Sequence, residues 1–162
     1  MVAPSSFDPF PLSRALLEAV LADRLSDRFV CELIWSRLGY QPQTAPAAER
    51  PSSWIAGPAT PPEWAEVFPE APELIATRPA SVRLTRSIPA EHKQLLKQQL
   101  GFAGYRIDEL FPRRTRRATA VSWLLAHLAL RGEPLPEEGP LPELLAPPSD
   151  PVQGHPGDPP VG

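Results

Sequence analysis

Apolar residues recur with a helical period in four stretches of the chain, separated by polar residues and prolines. The four stretches are residues 12–23, 26–38, 87–100 and 112–130. Ser26 is a favourable N-cap for the second stretch, because its hydroxyl can accept a hydrogen bond from a backbone N–H of the first turn. Gly39, Gly101 and Gly132 follow the last three stretches, at the position where a left-handed residue commonly ends a helix. The pattern predicts a mainly α fold, a small helical domain with about four main helices.

Two shorter segments alternate polar and apolar residues instead, a pattern typical of β-strands. They are residues 82–85 and 105–107. If they pair, a short antiparallel two-stranded element joins the helices; if they do not, the domain is a small helical bundle. We favour a mainly helical domain and leave the strand pair open.

Proline divides the chain further. It supplies 24 of the 162 residues, roughly three times the average share of about 5%. Ten prolines fall in the last thirty residues and six fall in 41–62, where proline opposes helix and strand interiors. We therefore predict a flexible N-terminus at 1–11, a single helical domain at 12–131 with a Pro-rich loop at 41–62, and a disordered Pro/Gly-rich tail at 132–162.

Charge is sorted along the chain, although the net charge is only −3. Residues 78–117 contain ten Arg or Lys and three acidic residues, while the rest of the chain contains six basic and sixteen acidic residues. An acidic and aromatic segment, 63–73, directly precedes the basic stretch. Such sorting predicts either an anionic partner or an internal pairing of the two segments.

Four arginines at the start of the fourth helix are the strongest candidate site. They are Arg113, Arg114, Arg116 and Arg117. Backbone N–H groups and the helix dipole already give a helix start a positive potential, so four cations there call for a compensating anion. On a helical wheel Arg113 and Arg116 flank the buried arc and are assigned to an external partner. Arg114 and Arg117 lie near the buried arc.

An internal network and simple solvation of exposed charges are the two competing explanations of the same arginines. The internal network is the more specific of the two. Arg114 and Arg117 would then pair with Asp108, Glu109 or the 63–73 segment and hold the fold together. The remaining candidates for anion or partner binding are Lys93, Lys97, Arg83, Arg86 and Trp123. Trp123 lies off the leucine arc of its helix, so it either packs on another element or anchors a partner.

Catalytic, metal-binding and secreted classes are disfavoured. The chain has one cysteine and three histidines without metal-ligand spacing, and it has no nucleophile-elbow, P-loop or dinucleotide motif. We therefore expect a non-enzyme with no cofactor and no metal. The first residues lack a signal-peptide pattern and no apolar run is long enough to span a bilayer, so we expect a cytoplasmic protein.

Several segments between about 26 and 130 form a recognisable set. They are the runs 78–89, 93–97, 100–102, 104–105 and 113–120, with Val30, Trp35, the Leu-Gly-Tyr run at 38–40 and the Pro-Glu-Trp turn at 62–64. Together they resemble an uncharacterised cyanobacterial domain-of-unknown-function family. The resemblance implies a photosynthetic prokaryote and no assigned activity, so it provides no catalytic residues. The Pro-rich tail lies outside it.

Two functional hypotheses follow. In the first, the 78–117 surface of a non-enzymatic module binds an anionic macromolecule, RNA first, because basic residues interleaved with aromatic ones fit phosphates and unstacked bases. In the second, the protein is a protein-interaction or assembly factor in a photosynthetic prokaryote, and the basic stretch pairs internally with 63–73.

Overall fold

The computed structural model describes residues 9–43 and 53–161. Its α-helices are α1 (Arg14–Leu21), α2 (Asp27–Arg37), α3 (Pro62–Ala65), α4 (Arg78–Arg86), α5 (Leu95–Leu100) and α6 (Pro112–Arg131). Its strands are β1 (Gln41–Gln43) and β2 (Ser53–Ile55), and single 3₁₀ turns lie at Ala90–His92 and Ile107–Glu109. The described residues form two compact units, one containing 9–10, 31–43 and 53–72 and the other containing 11–30 and 73–161.

The first unit is built around β1 and β2, which pair antiparallel with Pro42 opposite Trp54. The Trp54 ring lies 5.7 Å from the ring of Trp35, whose Nε1 donates to the carbonyl of Pro72 at 2.8 Å. Gly39 has a φ of +88°, and a Cβ there would lie 2.8 Å from the backbone of Ala59. The turn after α2 therefore requires glycine.

In the second unit, α6 is the central element and contacts α1, α4 and α5. Its core is aliphatic, and includes Leu16, Leu17, Val20, Leu84, Val121, Leu124 and Leu125. Gly132 ends α6 in the left-handed conformation with a φ of +68°. The long central helix thus presents its apolar face to three other helices, as its helical period requires.

The structure contains helices at the first, second and fourth predicted positions. The third predicted helix, 87–100, is instead a 3₁₀ turn followed by the short helix α5. Pro89 precedes a 3₁₀ turn at Ala90–His92, and α5 begins only at Leu95. Between these points the chain has no large apolar side chain to bury. The helical period starts at Leu95, and Gly101 ends α5 as predicted, with a φ of +67°.

The strand pair left open by the sequence does not form between 82–85 and 105–107, although the fold does contain a two-stranded antiparallel sheet elsewhere. Residues 82–85 lie inside α4, where Leu84 is fully buried, and 105–107 lie outside any strand. Proline in the first turn favours this helix, because its fixed φ suits that position. The sheet instead lies inside the segment predicted as a loop, 41–62, of which 44–52 fall outside the described residues.

The C-terminal segment has no helix or strand over its described residues, but it is not the disordered tail we predicted. Arg14 and Ala15 donate their backbone N–H groups to the carbonyls of Pro136 and Glu137, at 2.8 and 3.2 Å. The N–H of Leu145 donates to the carbonyl of residue 24 at 2.9 Å. These bonds offset the ordering entropy of an extended chain, which composition alone does not reveal. Of the predicted flexible N-terminus, 1–8 lie outside the described residues.

Candidate functional site

Two arginines of α6 and two aspartates near the start of α2 form what we call the buried cluster. Arg113 and Arg117 lie one helical turn apart, and Asp23 and Asp27 are also four residues apart. None of the four side chains is more than 1% exposed. A buried charge is costly unless it is paired and hydrogen-bonded, and the two cations and two carboxylates here balance one another.

Each arginine reaches both aspartates. Arg113 donates from Nε to Asp27 Oδ2 at 2.9 Å and from Nη1 to Asp23 Oδ2 at 2.8 Å. Arg117 donates from Nη1 to Asp27 Oδ1 at 2.7 Å, and its Nε lies 3.6 Å from Asp23 Oδ1. The planar fork of donors on a guanidinium suits this shared geometry, which an ammonium group could not reproduce.

The turn between α1 and α2 is shaped by the same cluster. Arg117 donates from Nη2 to the carbonyls of Val20 and Leu25, at 3.0 and 2.8 Å. Asp23 has a left-handed φ of +62°, a conformation that aspartate tolerates better than most residues. The turn brings the Asp23 carboxylate to α6. The sequence pattern, which predicted a helix over 12–23, did not indicate this turn.

The ionisation of Asp23 reflects its cationic neighbours. Burial alone raises the pKa of its carboxyl group. The hydrogen bond from Arg113 and the charges of Arg117 and Arg113 together lower this pKa by a larger amount, and the hydrogen bond from Arg114 lowers it as well. The net pKa falls from 3.8 to about 2. The same contacts outweigh burial at Arg113, whose pKa is raised. Asp23 and Arg113 are therefore both charged at neutral pH.

Arg114 extends the cluster toward an aromatic pair. Its Nε lies 3.3 Å from Asp23 Oδ2, and its guanidinium lies 6.0 Å from the ring centre of Tyr105 and 5.5 Å from that of Phe111. Tyr105 donates its hydroxyl to the carbonyl of Leu21 at 2.8 Å. Burial, with a smaller effect of Asp23, raises the pKa of Tyr105 to about 12.

The C-terminal segment covers the cluster. The carbonyl of Pro151 accepts from Arg113 Nη1 at 3.1 Å. His155 is nearly fully buried, and its Nε2 lies 3.1 Å from Asp23 Oδ1. Residues far beyond α6 in sequence therefore complete the hydrogen bonding of these two charged groups.

These contacts correct one assignment. Arg113 was assigned to an external partner, but its side chain is fully buried, because the helix turns it toward the cluster. The prediction that Arg117 lies on the buried side is confirmed. The carboxylates bound in the buried cluster are Asp23 and Asp27, whereas Asp108 lies 3.5 Å from Arg106.

A shallow groove of about 480 Å³ runs between α4 and α6. Arg78 and Arg116 lie in its walls, together with hydroxyl residues and three larger apolar side chains. The hydroxyl residues are Ser81, Thr85, Thr115 and Thr119, and the larger apolar ones are Val82, Leu110 and Phe111. Arg116 donates from Nη1 to the carbonyl of Ile75 at 2.9 Å. We call this the α4–α6 groove.

The electrostatics of the α4–α6 groove differ from those of the buried cluster. The pKa of Arg116 is lowered, first by partial burial and then by the charge of Arg78. Two cations therefore face the same groove and repel each other. Such an arrangement favours an anion between them, since an anion would relieve the repulsion and accept from both guanidinium groups.

The remaining predicted site residues are spread over α4, α5 and α6. Arg86 is exposed and Arg83 half-buried on α4. Lys93 and Lys97 are exposed beside a second groove of about 310 Å³, which Phe102 also lines. These residues share the second unit with the α4–α6 groove.

Trp123 is packed rather than presented to solvent. Its side chain is 8% exposed, and its ring stacks on that of His127 with the centres 5.2 Å apart. The helical position of Trp123 was compatible with internal packing or with anchoring a partner, and the structure shows packing.

Over residues 9–43 and 53–161, no group of three or more His, Cys, Asp or Glu side chains is placed to hold a metal ion. In the same part of the chain, no helix combines the length and apolar character needed to cross a membrane.

The second unit is thus a small helical bundle whose longest helix is tied to the rest by an internal Asp–Arg cluster and borders a basic groove. The chain belongs to the family described as domain of unknown function DUF1823, whose model matches residues 11–129. That range includes the buried cluster and the groove, but neither Pro151 nor His155. The family carries no assigned activity.

A solved structure is similar to this chain. A protein described as a solution NMR structure is 46% identical to this chain, with a TM-score of 0.61. The match covers 78% of this chain and 100% of the solved chain. No curated protein matches the chain.

Proposed function

We propose that the second unit binds an anionic macromolecule, single-stranded RNA first, and that it does so without catalysing a reaction. The observation that carries the proposal is the convergence of Arg78 and Arg116 on the α4–α6 groove. Each guanidinium offers several donors in a plane, which matches the oxygens of a phosphodiester. One backbone phosphate between them would neutralise the local repulsion.

The apolar wall of the groove fits the rest of a nucleotide. The ring of Phe111 and the side chain of Leu110 lie beside the two arginines. An unstacked base gains free energy by packing on an aromatic or apolar surface, and the gain depends little on the base. The groove therefore favours single strands over duplexes, and backbone contacts over sequence recognition.

Charge elsewhere on the unit supports a longer contact. With Arg113 and Arg117 neutralised in the buried cluster, residues 78–117 still hold eight basic and three acidic residues. Arg86, Lys93 and Lys97 are exposed among them. A strand that crosses the groove would meet these cations next, and binding would be driven largely by release of counterions.

The test is fluorescence anisotropy of a labelled single-stranded RNA at about 50 and 200 mM salt. Arg78→Gln should weaken binding and reduce the slope of log affinity against log salt by about one, as expected for one lost phosphate contact. Arg131→Gln is the matched control, because Arg131 is exposed at the far end of α6 and the charge change is the same. Absence of RNA binding, or equal effects of both variants, would contradict the proposal.

A second candidate function, protein interaction or assembly, is favoured by an exposed apolar pair. Ile107 is 91% exposed and Leu110 is 51% exposed, in the connection between α5 and α6. Isolated exposed leucines are common, but an almost fully exposed isoleucine beside a second apolar residue resembles the anchors of protein interfaces. These residues would dock into an apolar partner surface.

Capture experiments separate the two candidates. Partners pulled down from a nuclease-treated lysate by the wild-type chain should be lost with Ile107→Ser and Leu110→Ser if the protein is an adaptor. Partners that disappear on nuclease treatment alone favour RNA binding.

A further inference from the structure

We propose that residues 150–158 form a releasable strap that docks on the buried cluster and lowers the affinity of the second unit for anionic polymers. The inference rests on the proposed function for its effect on binding, but the docking itself is argued from separate contacts. The strap lies beyond residue 129, where the family match ends. It is therefore an addition to the shared domain.

The strap provides acceptors that α2 lacks. The first N–H groups of a helix have no partner within the helix. Ser26 Oγ accepts from the N–H of Phe29 at 3.1 Å. The carboxylate of Asp158 accepts from the N–H groups of Asp27 and Arg28, at 3.0 and 3.2 Å. A charged group from the C-terminal segment therefore completes the cap of a helix 130 residues away in sequence, and its negative charge also suits the helix dipole.

The strap has a shape that matches the cluster. Asp158 also accepts from the N–H of His155 at 3.1 Å, which closes the strap into a turn. Gly154 has a φ of +88°, and a Cβ on it would lie 2.8 Å from Arg113 Nε and 3.1 Å from Asp27 Oδ2. Only glycine allows the backbone to approach Arg113 so closely. The close approach, and the hydrogen bond that Arg113 donates to the carbonyl of Pro151, show that the strap is fitted to the cluster.

The strap belongs to a C-terminal segment that is negatively charged as a whole. Residues 132–162 contain no Lys or Arg and six acidic residues, Glu133, Glu137, Glu138, Glu143, Asp150 and Asp158. Residues 1–131 contain sixteen basic and thirteen acidic residues. Asp150 and Asp158 lie in the strap itself, and docking holds these two negative charges on the unit that contains the basic groove, where they repel an anionic polymer. Release of the strap would lift that repulsion.

The strap is attached by polar contacts of a kind that open readily. It has no helix or strand, and its attachment depends on polar bonds to the cluster and to α2 rather than on a buried apolar face. Segments held in this way open at lower free energy than the core. A partner that competes for the first N–H groups of α2 would displace Asp158.

Two pairs of full-length variants test the inference. Asp158→Asn removes the capping charge, and Glu143→Gln changes the net charge equally at an exposed position. Gly154→Ala blocks the close approach, whereas Gly157→Ala carries the same type of strain at a φ of +89° with nothing within 4 Å of its Cβ. Hydrogen exchange of the Asp27 and Arg28 amides reports docking, and anisotropy of a labelled single-stranded RNA at low salt reports affinity.

We expect Asp158→Asn and Gly154→Ala to speed exchange of both amides and to raise RNA affinity by about threefold to tenfold over their controls. Unchanged exchange in both variants overturns the docking. Faster exchange with an affinity equal to that of the controls overturns the regulation and leaves RNA binding intact. If no variant and no wild-type protein binds RNA, the proposed function fails together with the regulation, and faster exchange of the two amides still supports the docked strap.

Discussion

The buried cluster and the α4–α6 groove use arginines from the same run of α6 in opposite ways. Arg113 is fully buried and bonded to two carboxylates, whereas Arg116, three residues later, is half-buried and faces a groove that also contains Arg78. In the first region the charges are compensated inside the fold. In the second, two cations share a surface. The comparison shows that a run of basic residues is not one feature, because helical phase assigns each member to a different environment.

The difference also decides what mutation can reveal. A substitution in the buried cluster changes folding before it changes binding, since it leaves a charge without its partner. A substitution in the groove changes binding with little effect on folding, because exposed charges contribute little to stability. Substitution of Arg78 therefore tests binding, whereas substitution of Arg113 tests folding.

The largest effect expected is from breaking the cluster. Arg113→Met should lower the free energy of unfolding by about 3–5 kcal/mol, because Asp23 and Asp27 would remain buried with one cation fewer. Arg116→Met is the matched control on the same helix, and should cost clearly less, because Arg116 is only half-buried and its loss leaves Asp23 and Asp27 with both of their buried arginines. Urea unfolding measures both. Similar losses in the two variants would show that the two arginines do not differ in role.

Acid provides the next test of the cluster. The pKa of Asp23 is about 2 in the folded protein and 3.8 as its ordinary value. A depressed pKa contributes stability that is present above pH 3.8 and is lost as the pH falls through 2. The contribution is about 2 kcal/mol. Urea unfolding between pH 5 and 2 should show this loss, and Asp23→Asn should remove that part of it; an unchanged acid dependence in the variant would assign the loss to other carboxyl groups.

Helix caps and helix ends were predictable from the sequence, because they depend on residues close together in the chain. The Ser26 cap and the glycines that end α2, α5 and α6 stand where the pattern indicated, and so does the length of α6. The helix α4 was missed, because four residues that alternate in polarity satisfy a strand and a helix equally well until a tertiary contact buries Leu84.

The site itself was only half predictable. The arginine run was visible, and the internal network, one of its competing explanations, describes Arg113 and Arg117, although with other carboxylates than those predicted. The partners of Arg113 were not visible, because Asp23 and Asp27 are ninety and eighty-six residues away and the chain must turn through a left-handed residue to bring them there. A single Asp after a helix is a weak signal. The docked strap was hidden by its composition, which resembles a disordered tail.

The smallest effect expected lies at the edge of the cluster. Tyr105→Phe removes the hydroxyl that donates to the carbonyl of Leu21, and should lower the free energy of unfolding at neutral pH by about 1 kcal/mol. The pKa of Tyr105 is raised from 10 to about 12, so its contribution is present below pH 10 and lost as the pH rises through 12. Wild-type stability should therefore fall between pH 10 and 12 more steeply than that of the variant in urea unfolding. Parallel curves would mean that the Tyr105 hydroxyl does not distinguish the folded from the unfolded chain, and that the cluster ends at Arg114.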